Sequence, residues 1–161
     1  MSRKNTPIQN LVKIQNVQSR RELDEAGKMT DKQKKDLEAL IAEKEQLIGC
    51  DIVILTVNEP GLDSYDEIRD YAQAYYEDNK FGWNKANGDG IIYVDDWATG
   101  YTWMCTTGLA KTRLDDTDTE QIVDSANEIV NDNPYEAYTS IVNNVATMIQ
   151  TGRSSYVQIN P

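Results

Sequence analysis

The sequence predicts an α/β fold in which a small mixed sheet carries helices on both faces. Three observations lead there. Four segments open on helix caps and continue with apolar residues at helical spacing. Three others are runs of β-branched or aromatic residues. The two kinds follow one another in the order α, β, α, β, β, α, α. The 161 residues suffice for one ordinary domain with a sizeable core, and no internal repeat divides them.

Residues 1–23 lack a clear period and read as a loosely attached arm with room for one short strand or helix. Residues 24–151 make the domain and 152–161 a tail. The first helix, near 31–48, opens at Thr30-Asp-Lys-Gln33, a capping box in which side chain and backbone satisfy each other's orphan N–H groups. Its apolar face is Leu37, Leu40, Ile41, Leu47 and Ile48, and Gly49 stops it. "DIVILTV" over 51–57 is a continuous β-branched run, the mark of a strand buried on both faces. A second helix, near 65–80, opens at Ser64-Tyr-Asp-Glu67 and shows Ile68, Tyr71, Ala72 and Tyr75. Strands near 90–95 and 101–107 follow, joined by "DDWATG", a hairpin loop in length and chemistry. After the loop "GLAKTRLDD", a helix near 118–132 opens at Thr117-Asp-Thr-Glu120 and shows Ile122, Val123, Ala126, Ile129 and Val130. The last helix, near 134–151, has Asn133 as cap and Pro134 in its first turn, with Tyr138, Ile141, Val142, Val145, Ala146 and Ile149 on one face and Gly152 as its stop. The second helix makes a crossover, so the first two strands should be parallel and the crossover right-handed. The third strand returns antiparallel.

Composition excludes several functions. Net charge is −11, from 27 acidic and 16 basic residues, and no stretch forms the basic patch that a nucleic acid or an anionic membrane surface needs. With no histidine, Ser-His-Asp and Cys-His catalysis and histidine-ligated zinc or haem are out. Two cysteines, Cys50 and Cys105, cannot make a four-thiolate site in one chain; they are either two buried thiols or a disulfide in an exported protein. Any bound metal would have oxygen ligands, which points to calcium, magnesium or manganese. No stretch is apolar enough to span a membrane and none resembles a signal peptide. The chain is either cytoplasmic or a domain separated from its targeting and anchoring segments.

The strand order distributes the acids between the two ends of the sheet. Asp51 opens the first strand and Asp89 the second; the third strand runs back, so Asp115 and Asp116 should land at that same leading end. Asp95 and Asp96 should sit at the opposite end, near Asn58 and Glu59. Each acid alone has an ordinary explanation as a turn residue or cap. Two or three together would shift one another's pKa unless a cation lay between them.

Three local motifs fail on inspection. Asp116-x-Asp118-x-Glu120 would start an EF-hand, but Gln121 stands where the loop needs glycine and Asn127 where it needs glutamate. "GLDSYDE" and "NKANGDG" lack the lysine–hydroxyl ending of a phosphate-binding loop. Tyr71, Tyr75, Tyr76, Trp83, Tyr93, Tyr101 and Trp103 read as core or rim packing, whereas Trp97 in the hairpin tip is expected to be exposed and available to a protein partner.

Three longer segments resemble the TPM domain family. They are "LDEAGKMTDKQKKDLEALIAEKEQLIGCDIVILTV", "YAQAYYEDNKFGWNKANGDGIIYVDD" and "TTGLAKTRLDD", and the resemblance covers about residues 20–150. It implies a three-layer α/β/α sandwich, divalent-metal binding and, in some members, acid phosphatase activity. It also implies an exported or membrane-anchored parent protein. Asp24, Asp89 and Asp116 match the family's recurrent acids. Two departures stand out: the usual Asp-Asn-Gly before the strand reads Gly88-Asp89-Gly90, and the hairpin arginine is missing around Thr99-Gly100.

Two functions are thus expected from different classes. One is a binding module holding a divalent cation, calcium foremost or magnesium, on Asp89 and Asp116, joined by Asp51, Asp115 or Asp24. The other is a metal-dependent acid phosphatase acting on phosphomonoesters, with Asp89 and Asp116 at the metal and Lys111 or Arg113 neutralising the phosphate. Neither involves nucleic acid or direct membrane contact.

Overall fold

The computed structural model describes residues 21–152, so the arm up to residue 20 and the tail from 153 lie outside the described residues. The elements are β1 (Glu22–Asp24), α1 (Asp31–Ile48), β2 (Asp51–Val57), α2 (Tyr65–Asp78), β3 (Gly90–Asp96), β4 (Thr102–Thr107), α3 (Leu109–Arg113), α4 (Asp116–Asn127) and α5 (Pro134–Thr151). They form an α/β fold with a four-stranded mixed sheet in the order β1-β2-β3-β4. β1, β2 and β3 are parallel, and β4 pairs antiparallel to β3.

Side-chain alternation sorts the core into two layers. Ile52 and Ile54 of β2 and Ile91 and Tyr93 of β3 face α1, α3, α4 and α5. Val53, Leu55, Ile92 and Val94 face α2. β2 and β3 are buried along their whole length, as a strand covered on both sides must be. Burying each such Ile, Leu or Val contributes about 1.5–3 kcal/mol relative to leaving it in water. Cys50 and Cys105 are both free thiols; Cys50 packs in the first layer and Cys105 against the second, so the sheet separates them and the disulfide alternative is not formed.

Four features differ from the sequence-based expectation. β1 is a short parallel edge strand that begins inside the expected arm. Only its pairing with β2 makes it a strand, since three residues show no period. The loop after β4 contains the helix α3, whose five residues are too few to show periodicity. α4 starts earlier than Thr117 predicts, because Asp115 and Asp118 form the capping box instead. It also ends at Asn127, after which Ile129 and Val130 lie in turns. Finally, the two crossovers advance in the same direction across the sheet while α1 and α2 cover opposite faces. They are therefore of opposite hand, and one breaks the right-handed rule.

No helix among the described residues is long and apolar enough to cross a membrane.

Candidate functional site

At the leading end of the sheet, Asp51 is fully buried as β2 begins. Its Oδ2 accepts the Gly82 N–H at 2.7 Å and lies 3.2 Å from the Arg21 guanidinium. Arg21 also meets Glu45 at 3.1 Å and stands over the Phe81 ring at 5.0 Å. Asp51 is thus one partner in a buried ion network, although its Oδ1 has no hydrogen-bond partner among the described residues. Asp89 is half-buried; its Oδ1 accepts the Leu109 N–H at 2.8 Å, at the start of α3. The chain can pass so close only because Gly108 has no Cβ, which would collide with Asp89 Oδ1, and because glycine accepts its φ of +59°. Burial, aided by Asp89 and Asp51, pushes the Cys50 thiol up to about 12.

The other acids expected at this end cap α4. Asp115 Oδ1 accepts the Asp118 N–H at 2.8 Å, and Asp118 Oδ2 accepts the Asp115 N–H at 3.0 Å. Asp116 lies exposed in the first turn, where a negative charge suits the helix dipole. Lys111 is exposed on α3, and Arg113 Nη1 donates to the Ile149 carbonyl at 2.9 Å, tying α3 to the last turn of α5.

Asp24 is not at this end. β1 runs parallel to β2 with Asp24 beside Thr56, and Thr56 in turn sits beside Asp95. This register sends Asp24 to the carboxyl end, a strand length away from Asp89 and Asp116. The five expected acids therefore occupy three places: Asp51 with Asp89, Asp115 with Asp116, and Asp24 alone. Among the described residues, no three Cys, Asp or Glu side chains are gathered so as to hold a metal.

The carboxyl end is more elaborate than the sequence suggests. Asp24, Thr56, Asp95 and Thr102 share one register across all four strands. Asp24 Oδ1 accepts the Thr56 hydroxyl at 2.6 Å and the Lys28 N–H at 3.0 Å, and its Oδ2 accepts the Met29 N–H at 2.8 Å. Asp95 Oδ2 accepts the Tyr138 hydroxyl at 2.5 Å, and the Tyr138 oxygen accepts the Trp97 Nε1–H at 3.0 Å. Lys28 Nζ lies 4.3 Å from the centre of the Trp97 ring. Trp97 is thus half-buried and held from two sides, which corrects the expectation of an exposed tip. Thr102 and Asn127 of α4 exchange contacts at 3.3 and 3.4 Å.

Asp96 builds the hairpin. It accepts the Glu59 and Ala98 N–H groups at 2.9 and 3.1 Å and the Thr99 hydroxyl at 2.8 Å. Asp95 is the perturbed group. Burial pushes its carboxyl up to about 6 and Asp96 adds to the rise, while the Tyr138 hydroxyl, the Trp97 N–H and Lys28 act in the opposite direction.

A family model for the TPM domain matches residues 23–148. The chain belongs to the TPM domain family. Three solved structures share its fold, all determined by NMR. One is the N-terminal domain of the cg2496 protein from Corynebacterium glutamicum, with TM-score 0.58, 12% identity, and coverage of 90% of this chain and 87% of that one. Another is the N-terminal domain of a protein from P. gingivalis, with TM-score 0.62, 15% identity, and coverage of 82% and 83%. The third is the BA42 protein from the psychrophilic bacterium Bizionia argentinensis, with TM-score 0.64, 11% identity, and coverage of 77% and 83%. At these identities the likeness concerns the fold. No functionally curated protein matches the chain.

In this TPM domain, the three acids that the resemblance singled out divide between the sheet ends: Asp89 and Asp116 at the leading end, Asp24 at the carboxyl end. Sequence reasoning missed the roles of Tyr138, Lys28 and Asn127. One signal was available: in open α/β sheets, ligands gather outside the carboxyl ends of the parallel strands, and Asp95-Asp96 ends β3.

Proposed function

We propose that this TPM domain is a cation-binding interaction module whose divalent cation, calcium or magnesium, is taken at the carboxyl end of the sheet. The observation that carries this reading is the polar row Asp24, Thr56, Asp95 and Thr102, set across the strand ends on one face. The donor set is all oxygen, as hard cations require. Asp95 is a buried carboxylate whose pKa is raised by burial and, further, by the neighbouring charge of Asp96. Asp24 and Asp95 would hold the cation, with water completing its shell, as suits an ion bound through one or two carboxylates. Bound there, the cation would fix the segment after β1 and the hairpin after β3, and so shape a surface for a protein partner. The family's habit of residing in exported or membrane-anchored proteins fits the same role.

The acid phosphatase alternative has less support. Arg113, which would face the phosphate, is bonded to the Ile149 carbonyl, and of the two acids meant for its metal Asp89 accepts the Leu109 N–H while Asp116 lies exposed in the first turn of α4.

The test is a calcium and magnesium titration of the full chain, followed by amide NMR. Residues 24–30, 56 and 95–100 should move together and saturate, and Asp95→Asn should abolish the response. Movement confined to residues 88–90 and 114–118 would place the site at the leading end instead. No movement at millimolar cation would refute the cation reading altogether.

A further inference from the structure

The two edges of the sheet are treated differently. β1 is three residues long and carries Glu22 and Asp24, the shortness and charge that natural edges use to prevent stray pairing. β4 is six residues, Thr-Trp-Met-Cys-Thr-Thr, with no charge and no proline. Among the described residues its strand partner is β3, and no loop backbone group is bonded to it. Among the described residues, its outward N–H and C=O groups form an open template.

The surface beside this edge is aromatic and acidic. Tyr65 is 59% exposed. Its ring lies 4.8 Å from that of Tyr101 and 6.1 Å from that of Trp103, both half-buried. Exposed Tyr and Trp rings are the common anchors of interfaces, and their faces attract cations. α2 borders the cluster. Its Arg69 is engaged by Asp66 and Asp70, each at 3.2 Å, and Glu67 and Glu77 are exposed nearby, so the border is net negative. The Cys105 sulfur is 3.8 Å from the Arg69 carbonyl, which fixes α2 directly over β4.

We propose that the β4 edge is a docking strand for an extended basic segment of a partner protein. The segment adds to the sheet by main-chain hydrogen bonds, and its lysine or arginine side chains lie over Tyr65, Tyr101 and Trp103 and against Asp66 and Asp70. Charge decides between this occupant and a second copy of the chain. Two chains of net charge −11 repel one another, whereas a basic strand is attracted to the acidic border.

The experiment titrates the full, isotope-labelled chain with a blocked Lys-Val-Lys-Val-Lys-Val peptide and follows amide shifts. Saturable movement centred on residues 102–107 and 65–70 is expected. The double variant Asp66→Lys/Asp70→Lys, both positions exposed, should keep the fold and weaken binding about tenfold. A Glu-Val-Glu-Val-Glu-Val peptide should leave the spectrum unchanged. No movement at millimolar peptide, movement on another surface, or equal response to the acidic peptide would overturn the proposal. So would β4 shifts that follow protein concentration alone, which mark the edge as a contact between copies.

Discussion

Tyr138 of α5 donates its hydroxyl to Oδ2 of Asp95 at the end of β3, 2.5 Å away, and so locks the helix layer to the carboxyl end of the sheet. The bond is buried, and its oxygen serves a second donor, the Trp97 indole N–H. The end of β3, the hairpin that follows it and the distant helix α5 thus meet in one short chain of hydrogen bonds.

Tyr138→Phe removes the shared hydroxyl and leaves both the Asp95 carboxylate and the Trp97 N–H short of a partner. A loss of about 1–3 kcal/mol is expected near pH 8. The loss should be smaller near pH 5, where Asp95 is protonated. Urea unfolding at the two pH values measures it; equal losses would show that the bond does not depend on the charged acid.

Asp95 gives stability a pH dependence of definite sign. Its folded pKa is raised from 3.8 to about 6. A raised folded value means that the contribution is fully present below the unfolded pKa and lost as pH rises through the folded one. Asp95→Asn does not titrate, so in a chelating buffer its stability should gain on the wild type by about 2–3 kcal/mol between about pH 4 and pH 7. Parallel pH profiles would refute the assignment.

Arg21 is the counter-ion for two buried acids, Asp51 and Glu45. Arg21→Ala removes the guanidinium that both acids share and should cost about 3–5 kcal/mol by chemical denaturation. By contrast, Lys32→Ala breaks an exposed pair with Asp36 and should change stability by less than about 1 kcal/mol. Similar effects for the two would mean that the Arg21 network contributes little.

Gly108→Ala tests the close pass between α3 and Asp89. A methyl group there meets the Asp89 carboxylate, and φ of +59° disfavours any side chain. Destabilisation of about 1–3 kcal/mol is expected from the thermal midpoint. A neutral result would show that the β4–α3 connection relaxes freely.

The α4 cap separates two registers of the same acidic run. Asp115→Ala should cost about 1 kcal/mol, because its side chain caps the helix and makes the reciprocal box. Thr117→Ala should be nearly neutral. The reverse order in equilibrium unfolding would restore Thr117 as the cap.

Much of this architecture was legible in the chain. The capping boxes at Thr30, the caps at Ser64 and Asn133, and the stops at Gly49 and Gly152 are local chemistry, and they set α1, α2 and α5 in place. The β-branched runs fixed β2 and β3 because two-sided burial leaves a continuous apolar signature. Asp96 beside Glu59 also followed, since strand order alone puts those loops at one end.

What the sequence could not supply were the pairings that depend on distance. Asp24 is local in sequence to the first helix, but the parallel register of β1 with β2 decides which end of the sheet it joins. The acidic run at 115–118 offers two competing caps, and in the folded chain Asp115 takes the role. The environment of Asp95 joins the neighbouring Trp97 to Lys28 and Tyr138, whose separations from it in sequence exceed any local motif. Caps, stops and buried runs are written in neighbouring residues because their hydrogen bonds and burial are short-range. Register, helix layering and the pKa of a buried acid belong to the folded chain, because each is set by groups that only tertiary packing brings within reach.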